Sequence, residues 1–583
     1  MKKLLTGNEA IARGAWEAGV VVCTAYPGTP STQITEHAAE YDEMYAEWSP
    51  NEKVALEVGG GAAIAGGRAM VAMKHVGVNV AADPLFTLAY TGINGGLLLV
   101  AADDPGMHSS QNEQDSRHFG RAAKVPILEP ADSQEAKDFT KLAFELSESF
   151  DTPVMLRVTT RVAHAQTTVE LGDRQEVGLK KYEKIAAKYV MVPAYARRRH
   201  VVVESRLGKL QEYSETASLN RIEWNDTKIG VITSGVTYQY VKETMKDASI
   251  LKLGITFPLP RKLITEFAEQ VDKLYVIEEL EPFIEDYIKS WGIEVHGKDT
   301  FSVIGEILPE TIREKMGIEV ENTVDNNEAA SAIPIRPPVL CPGCPHRGLF
   351  YVLSKLKTTV AGDIGCYTLG SLAPLNAMDT TICMGASIGN AIGMEKARGK
   401  DFARNLVAVI GDSTFIHSGI TGLIDVVYNK ATTTTIILDN RTTGMTGHQE
   451  NPTTGFTIKG EPIKEVDLEL LVKAIGVERV VVVDPFDLDK VEKTLKEEMA
   501  AEEPSVIITK RICALIDKES DKTPYIVSQE ACTGCMRCMK LACPCIIKEG
   551  KKVRINTAQC VGCGLCVTVC PSGAIKKEGE ANV

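Results

Sequence analysis

The cysteines near the end of the chain have a spacing that suits iron–sulfur chemistry. Nine of the fifteen cysteines lie in the last 52 residues, and eight of these form the runs C-x2-C-x2-C-x4-C-P (532–544) and C-x2-C-x2-C-x3-C-P (560–571). The second run has the spacing of a bacterial ferredoxin, and in such paired runs the fourth cysteine of each binds the other run's cluster. The spacing therefore predicts two 4Fe–4S clusters, one held by Cys532, Cys535, Cys538 and Cys570 and the other by Cys543, Cys560, Cys563 and Cys566.

Other uses of these cysteines fit the pattern less well. Cys545 is left over and is expected to be a buried thiol. Disulfides would require an oxidising compartment, and the first residues show no secretory signal. Zinc sites usually use pairs of C-x2-C rather than two quartets that each end in Cys-Pro. We expect an electron-handling protein of the cytoplasm.

Oxygen ligands follow two apolar stretches in the middle of the chain. Gly411-Asp412-Ser413 comes directly after the stretch 406–410, and Asn440 follows the stretch 434–438. Ligands of open parallel sheets bind at the carboxyl ends of strands, so Asp412 and Asn440 should face one crevice. A carboxylate, an amide oxygen and a nearby backbone carbonyl suit Mg²⁺ that holds a diphosphate.

This spacing resembles the signature of thiamine diphosphate enzymes, in which a Gly-Asp-Ser or Gly-Asp-Gly precedes an asparagine. Asn440 comes 28 positions after Asp412, although Asp439 stands where many members have a second asparagine. The resemblance implies that Asp412, Asn440 and the carbonyl of Thr442 bind Mg²⁺. It also implies that Gly411 and Ser413 adjoin the diphosphate.

Thiamine enzymes also need a glutamate against the aminopyrimidine ring, and the chain offers two candidates. Glu52 and Glu57 lie at the start of a stretch rich in glycine and alanine. A buried carboxyl group has a raised pKa, which suits it to proton exchange. We prefer Glu52, while Glu57 remains the competitor. For either residue, an exposed carboxylate favoured by the helix dipole is the simpler alternative.

Short strands and helices alternate through most of the 583 residues and are expected to position these groups. The βαβ rhythm predicts an α/β multidomain protein with three parallel-sheet domains and a small ferredoxin-like module. A net charge of −13 argues against nucleic acid as a partner. No apolar run approaches the roughly 20 residues of a membrane helix. The predicted segments are domains at 1–180, 226–318, 339–515 and 522–580, a connector at 181–225 and a linker at 319–338.

Several longer segments resemble the 2-oxoacid:ferredoxin oxidoreductase superfamily across nearly the whole chain. The likeness is greatest to the large (alpha) subunits of the indolepyruvate:ferredoxin oxidoreductases. The segments are Tyr26-Pro27-Gly28-Thr29-Pro30 and the stretches 74–84, 110–117, 341–347 and 443–449. The resemblance identifies the domains, in order, as pyrimidine-binding, transketolase C-terminal-like, diphosphate-binding and ferredoxin-like.

The resemblance also implies an activity. An arylpyruvate such as indolepyruvate would be oxidatively decarboxylated with CoA to give indoleacetyl-CoA, CO₂ and reduced ferredoxin. The implied cofactors are thiamine diphosphate, Mg²⁺ and the 4Fe–4S clusters. The implied partners are a small beta subunit and external ferredoxin, in a hetero-oligomer without membrane or nucleic acid. A non-redox thiamine-dependent decarboxylase or ligase with an accessory iron–sulfur module, a different 2-oxoacid substrate and a pure electron-transfer subunit remain alternatives.

The likeness extends to further site residues. Thr29 would contact the substrate, with Met445 and Arg117 as further substrate-binding candidates. His75 and His448 would orient the substrate or transfer protons near neutral pH, although each could equally be a structural histidine. A third 4Fe–4S cluster would be held by four more cysteines, for which buried structural thiols are the alternative: Cys341, Cys344, Cys366 and Cys513.

Overall fold

The computed structural model describes residues 1–319, 333, 334 and 336–579. The chain divides into two compact units, residues 1–325 and 326–583. Most of the predicted linker at 319–338 lies outside the described residues. Among the described residues, no helix is both long enough and apolar enough to span a membrane.

The strands of the first unit form a seven-stranded sheet, a four-stranded sheet and a two-stranded ribbon. In chain order they are β1 (Lys2–Thr6), β2 (Val22–Ala25), β3 (Tyr45–Trp48), β4 (Ala69–Lys74), β5 (Leu97–Asp103), β6 (Ile127–Leu128), β7 (Val154–Thr159), β8 (Gln166–Glu170), β9 (Arg221–Glu223), β10 (Asp226–Ser234), β11 (Ala248–Leu253), β12 (Ile255–Phe257) and β13 (Lys273–Ile277).

The seven-stranded sheet has the order β12-β6-β7-β5-β4-β2-β3 and is parallel except for β12. Its central strands are near-continuous apolar runs, because a parallel sheet covered by helices is buried on both faces. Every residue of β4, β5 and β7 is buried. β12 lies within the predicted 226–318 domain but pairs with β6. That predicted domain therefore also contributes to the first sheet.

Helices of the first unit cover these sheets. They are α1 (Gly7–Glu17), α2 (Thr32–Ala38), α3 (Glu52–Ile64), α4 (His75–Val80), α5 (Ala82–Thr91), α6 (Arg117–Ala123), α7 (Ser133–Phe150), α8 (Thr160–His164), α9 (Ala186–Tyr189), α10 (Pro193–Thr216), α11 (Thr237–Thr244), α12 (Arg261–Ala268), α13 (Phe283–Ser290) and α14 (Pro309–Met316). The side chain of Asp132 caps α7 as its sequence predicts, accepting a bond from the amide of Glu135 at 2.9 Å.

The predicted connector at 181–225 is more ordered than its basic composition suggested. It contains α10, a helix of 24 residues. Arg206 is buried and donates to the carbonyls of Ala89 and Asp151 at 2.7 Å each. Arg199 donates to the carbonyl of Tyr90 at 2.7 Å. The basic residues thus fasten a long helix to the ends of neighbouring elements.

A five-stranded parallel sheet forms the body of the second unit, in the order β14-β15-β16-β18-β17. Its strands are β14 (Thr359–Ala361), β15 (Leu406–Gly411), β16 (Thr434–Asp439), β17 (Arg479–Val483) and β18 (Ser505–Lys510). Helices flank it at His346–Leu356, Ala386–Arg398, Lys400–Ala403, Asp412–Thr414, Ile420–Tyr428, Leu468–Ile475 and Leu488–Met499. A 3-10 turn at Cys366–Ser371 and a π-helical turn at Phe415–Gly419 complete the set.

The tail that follows is built from two antiparallel ribbons and short helical turns. β19 (Tyr525–Val527) pairs with β22 (Ile575–Lys577), and β20 (Ile546–Glu549) pairs with β21 (Lys552–Ile555). The turns are Arg537–Leu541 and Leu565–Thr568. Cysteine side chains share its small apolar core with Ile546, Val553 and Ile575. Such a core is too small to bury much apolar surface, so bound clusters would add to the stability of this tail.

Candidate active site

Parallel pairing brings the predicted magnesium ligands together at one edge of the five-stranded sheet. Gly411 at the end of β15 lies opposite Leu438 near the end of β16. Asp412 and Asn440 therefore follow neighbouring strand ends, and both are buried. The Asp412 carboxylate accepts bonds from the amides of Ser413 at 2.7 Å and Arg441 at 3.1 Å.

The electrostatics of this edge fit a cation. Burial and the charge of neighbouring Asp439 raise the pKa of Asp412 to about 7. Burial also raises the pKa of Asp439. Asn440 is 6% exposed, and its backbone carbonyl accepts a bond from the amide of Cys513 at 3.1 Å. Carboxylate and amide oxygens of this kind are the hard ligands that Mg²⁺ prefers.

The residues around this edge were predicted to adjoin the diphosphate. A Cβ atom on Gly411 would lie 2.8 Å from the ring of Tyr367, so glycine is required there for close packing. Ser413 is buried, and its hydroxyl accepts a bond from Thr443 at 3.0 Å. The hydroxyl of buried Thr442 donates to the carbonyl of Gln449 at 3.4 Å.

Met445 and His448 lie in the loop that follows Thr442. Met445 is 51% exposed. His448 is half-buried and has a left-handed backbone with φ of 69°. Their predicted roles towards the substrate stay predictions.

The four cysteines of the possible third cluster converge beside Asn440. Burial, together with the neighbouring Cys366 and Cys341, raises the pKa of Cys344 to about 12. Burial raises the pKa of Cys366 as well, and the neighbouring Cys513 and Cys341 contribute to the increase. The amide of Cys513 donates to the carbonyl of Asn440 at 3.1 Å. Residues far apart in sequence are thus assembled next to the diphosphate motif, as a proximal cluster would require.

Each predicted quartet of the tail lines its own cavity. Three cysteines of the first run meet the last cysteine of the second run at one cavity: Cys532, Cys535, Cys538 and Cys570. The complementary quartet lines the other cavity, together with Cys545: Cys543, Cys560, Cys563 and Cys566. The two groupings of cysteines around the cavities are those that the spacing predicts, while their binding of clusters in these groupings stays a prediction. Cys545 is buried as expected, but it adjoins the second quartet.

Close packing links the third group of cysteines to the second tail cavity. A Cβ atom on Gly343 would lie 2.6 Å from Val561 and 3.5 Å from Cys563. The Arg347 guanidinium also donates to the carbonyl of Leu541 in the tail at 2.6 Å. The second unit thus contains a continuous series of cysteine groups that begins beside Asn440.

In the first unit, the two glutamate candidates have different surroundings. Glu52 is the first residue of α3 and is 4% exposed. A Cβ atom on Gly77 of α4 would lie 2.7 Å from its Oε1. Glu57 lies on the exposed side of the same helix and pairs with Lys53. Burial against α4 distinguishes Glu52 from Glu57, which is exposed and paired at the surface.

The carboxyl ends of β2, β4 and β5 gather further polar groups. Thr29 follows β2, and its carbonyl accepts a bond from the hydroxyl of Ser109 at 3.2 Å. Lys74, the last residue of β4, donates to the carbonyl of Ser109 at 2.6 Å. His75 comes next and is 1% exposed. Asp104 follows β5 and accepts a bond from the amide of Ser109 at 2.8 Å.

Arg117 does not belong to this group, and its contacts do not support the predicted contact with the substrate, which stays a prediction. Its side chain is fully buried and forms ion pairs with Asp115 and Glu278 at 2.6 Å each. It also donates to the carbonyls of Glu279 and Glu281. Its donors are therefore taken up by the protein, and the residue holds α6 against the segment that follows β13.

Comparison with known proteins now adds to this geometry. Three family models match: "Pyruvate flavodoxin/ferredoxin oxidoreductase, thiamine diP-bdg" at residues 13–225, "Thiamine pyrophosphate enzyme, C-terminal TPP binding domain" at 363–509 and "4Fe-4S binding domain" at 553–576. The indolepyruvate oxidoreductase subunit IorA of Archaeoglobus fulgidus is 43% identical over 99% of this chain and 97% of that protein. The subunit of the same name from Pyrococcus horikoshii is 42% identical over 99% of this chain and 98% of its own length.

The chain belongs to the IorA family. More distant similarity reaches the 2-oxoglutarate synthase subunit KorA of Archaeoglobus fulgidus, 26% identical over 47% of this chain and 87% of that protein. A solved 2-oxoglutarate:ferredoxin oxidoreductase from Magnetococcus marinus superposes with a TM-score of 0.46 at 17% identity, covering 55% of this chain and 65% of that one.

Membership of the IorA family confirms several predictions. The chain is an oxidoreductase subunit that binds thiamine diphosphate and iron–sulfur clusters. The predicted fold class of parallel-sheet α/β domains with a ferredoxin-like module is confirmed as well. The relatives are named as subunits, which implies a partner chain.

Sequence reasoning gave no role to some polar residues that the structure places at the strand ends. Lys74, Asp104 and Ser109 lie beside Thr29, and Asp439 lies beside Asp412. Their position at or directly after a strand was a usable signal, because ligands bind at these ends.

Proposed function

We propose that this IorA-family chain is the large subunit of an enzyme that oxidatively decarboxylates arylpyruvates. In the reaction, the bond between the carboxylate and the keto carbon breaks and CO₂ leaves. The acyl carbon then forms a bond to the sulfur of CoA, whose proton is released, and two electrons pass singly to two ferredoxins. With indolepyruvate the product is indoleacetyl-CoA. The names of its relatives support this substrate.

The observation that carries the redox part is the series of cysteine groups in the second unit. Cys366 and Cys513 lie beside the diphosphate motif, and Gly343 packs against Cys563. The two tail cavities continue the series. A decarboxylase without redox chemistry would have no use for such a relay, so the geometry favours oxidation over the non-redox alternative.

The residues of each site would have separate tasks. Asp412, Asn440 and the carbonyl of Thr442 would hold Mg²⁺ and the diphosphate, while Glu52 would exchange a proton with the aminopyrimidine. Thiamine diphosphate supplies the electron sink that makes decarboxylation possible. Thr29 and His75 would orient the substrate. A small beta subunit, external ferredoxin and CoA complete the proposed system, in the reducing cytoplasm where free cysteines persist.

An anaerobic assay tests the proposal. The chain is purified with its co-expressed partner and supplied with indolepyruvate, CoA and an oxidised viologen dye. We expect dye reduction that depends on both substrates. Release of CO₂ without dye reduction would favour the non-redox alternative. Iron per chain near twelve rather than near eight would indicate a third cluster.

A further inference from the structure

A buried ammonium group lies at the carboxyl end of β4 without a carboxylate to neutralise it. Lys74 is 7% exposed, and its Nζ donates to the carbonyl and hydroxyl of Ser109 at 2.6 and 3.2 Å. Across residues 1–319 and 336–579, no acidic side chain is in ion-pair contact with Lys74. Both of its hydrogen-bond partners are neutral.

Burial without pairing makes the charge of Lys74 costly. Burial lowers the pKa of Lys74 to about 8. Lys252, another buried lysine of the same unit, is paired with a carboxylate, because its Nζ contacts Glu135 at 2.6 Å. Buried charges in folded proteins are generally paired in this way. The position of Lys74 is therefore poor for stability alone.

Asp104 is the nearest source of negative charge, and its oxygens are already satisfied. They accept bonds from the amide of Ser109 at 2.8 Å, from Ser110 at 2.5 Å and from Thr160 at 2.7 Å. Although burial raises the pKa of Asp104, these donors outweigh burial and lower it. The charge of Asp104 acts on Lys74 without an ion-pair contact. Its hydrogen bonds serve to order the loop that contains Ser109 and Ser110.

The residue after Lys74 is also buried without a partner. Neither ring nitrogen of His75 has a hydrogen-bond partner of ordinary geometry within the described part of the chain, although the backbone of Asn112 lies close enough to raise its pKa. Burial lowers the pKa of His75, which favours the neutral ring. Unmet buried hydrogen-bonding groups indicate a site that a ligand completes. His75 begins α4, whose Gly77 contacts Glu52.

We propose that Lys74 is the counter-ion for the carboxylate of the 2-oxo acid, with His75 as a hydrogen-bond partner of the same end of the substrate. The inference rests on the proposed function, because it requires an anionic 2-oxo acid near Glu52. The loop at Thr29 adjoins this position, since a Cβ atom on Gly28 would lie 3.1 Å from the Cβ of Lys74. The carboxylate would supply the missing charge.

This role predicts a specific kinetic change. The carboxylate leaves as neutral CO₂, so its pairing with Lys74 belongs to the bound substrate. Loss of such an interaction raises KM more than it lowers kcat. Removing one partner of a buried ion pair weakens binding by roughly a hundredfold. The Lys74→Met variant should therefore raise the KM for the 2-oxo acid by about that factor and leave the KM for CoA unchanged.

Calorimetry with unreactive ligands tests the charge pairing without turnover. Indolepropionate and its neutral amide, indolepropionamide, are titrated into the holoenzyme. We expect wild type to prefer the acid by roughly a hundredfold, and Lys74→Met to lose that preference. Lys252→Met is the matched control and should retain it. Lys74→Gln, which keeps a donor for the Ser109 carbonyl, is a second variant in case the first does not fold.

Thermal unfolding separates a binding role from a structural one. Without ligand, Lys74→Met should unfold at no lower temperature than wild type, whereas Lys252→Met should unfold at a lower one. An acid preference that persists in both Lys74 variants, or a wild type that binds the acid no better than the amide, would overturn the inference. A wild type that prefers the acid but does not reduce the dye would count against the proposed oxidation alone.

Discussion

Two sets of buried charges in the first unit differ in how completely they are paired. The first, the buried ionic network, pairs two guanidinium groups with four carboxyl groups at short distances: Asp103, Asp115, Arg117, Glu129, Arg157 and Glu278. The second is the corner formed by Lys74 and His75, where a buried cation meets only neutral groups and an imidazole meets none. Both sets lie near strand ends of the same unit.

The completeness of charge pairing distinguishes structural residues from functional ones more reliably than burial or charge alone. Although burial raises the pKa of Asp115, the charges of Arg117 and Arg157 outweigh it and hold that pKa well below its usual range. In such a network each guanidinium group already contacts carboxyl groups of the protein. Lys74 carries a desolvation cost that the charge of Asp104 offsets only in part, which is typical of a residue kept for a ligand.

The largest expected effect comes from breaking the network. Arg117→Met leaves Asp115 and Glu278 as uncompensated buried charges, so the free energy of unfolding should fall by about 3–5 kcal/mol. Denaturant unfolding monitored by circular dichroism measures this change. Folded variant protein should keep the wild-type KM for the 2-oxo acid. A variant with normal stability and a raised KM would instead restore Arg117 as a substrate residue and remove the contrast.

A pH profile tests Glu279, a buried carboxyl group beside the network. Burial, together with the charge of Glu306, raises the pKa of Glu279 to about 7 despite Arg157, whereas an unfolded glutamate titrates near 4.3. A raised carboxyl pKa means that the folded state binds more protons. The stabilisation is complete below about pH 4 and is lost as the pH rises through 7.

The linked variant is Glu279→Gln, which cannot titrate. Between about pH 4 and pH 8, the free energy of unfolding of wild type should fall by about 2–3 kcal/mol through this group. The variant should not show this fall. Urea unfolding at several pH values measures both proteins. Parallel profiles for wild type and variant would mean that the charge of Glu279 is compensated after all. Glu279 would then belong with the fully paired residues.

Much of the fold was predictable because apolar runs and cap residues are local signals. The strands at 97–103, 154–159 and 434–439 and the helix that begins after Asp132 follow from such signals. The helix α10 was missed because its basic, weakly amphipathic sequence gives little periodicity. Its order comes from contacts with residues more than fifty positions away, such as that between Arg206 and Asp151.

The candidate sites divide in the same way. The crossed cysteine quartets could be predicted, because ferredoxin spacing specifies which thiols meet. The ion pairs of Arg117 and the neutral contacts of Lys74 could not be predicted, because the partners of both residues are remote in sequence. Glu278 lies 161 positions from Arg117, and Ser109 lies 35 positions from Lys74. Pairing across such distances is visible only after folding.

The smallest expected effect concerns the exposed member of the glutamate pair on α3. Glu57 is paired with Lys53 at the surface, and such pairs contribute about 0–1 kcal/mol. Glu57→Gln should therefore change the free energy of unfolding by less than about 1 kcal/mol and leave dye reduction near the wild-type rate.

Glu52→Gln is the matched change at the buried position. It keeps the size of the side chain but removes the exchangeable proton, and general acid–base groups contribute about a hundredfold to ten-thousandfold to rate. Dye reduction should fall by that order while thiamine diphosphate remains bound, which fluorescence titration of the cofactor can measure. Loss of activity in Glu57→Gln with normal activity in Glu52→Gln would reverse the assignment. It would also show that a charge paired within the protein can be functional here. The contrast between Arg117 and Lys74 assigns function to the unpaired charge instead.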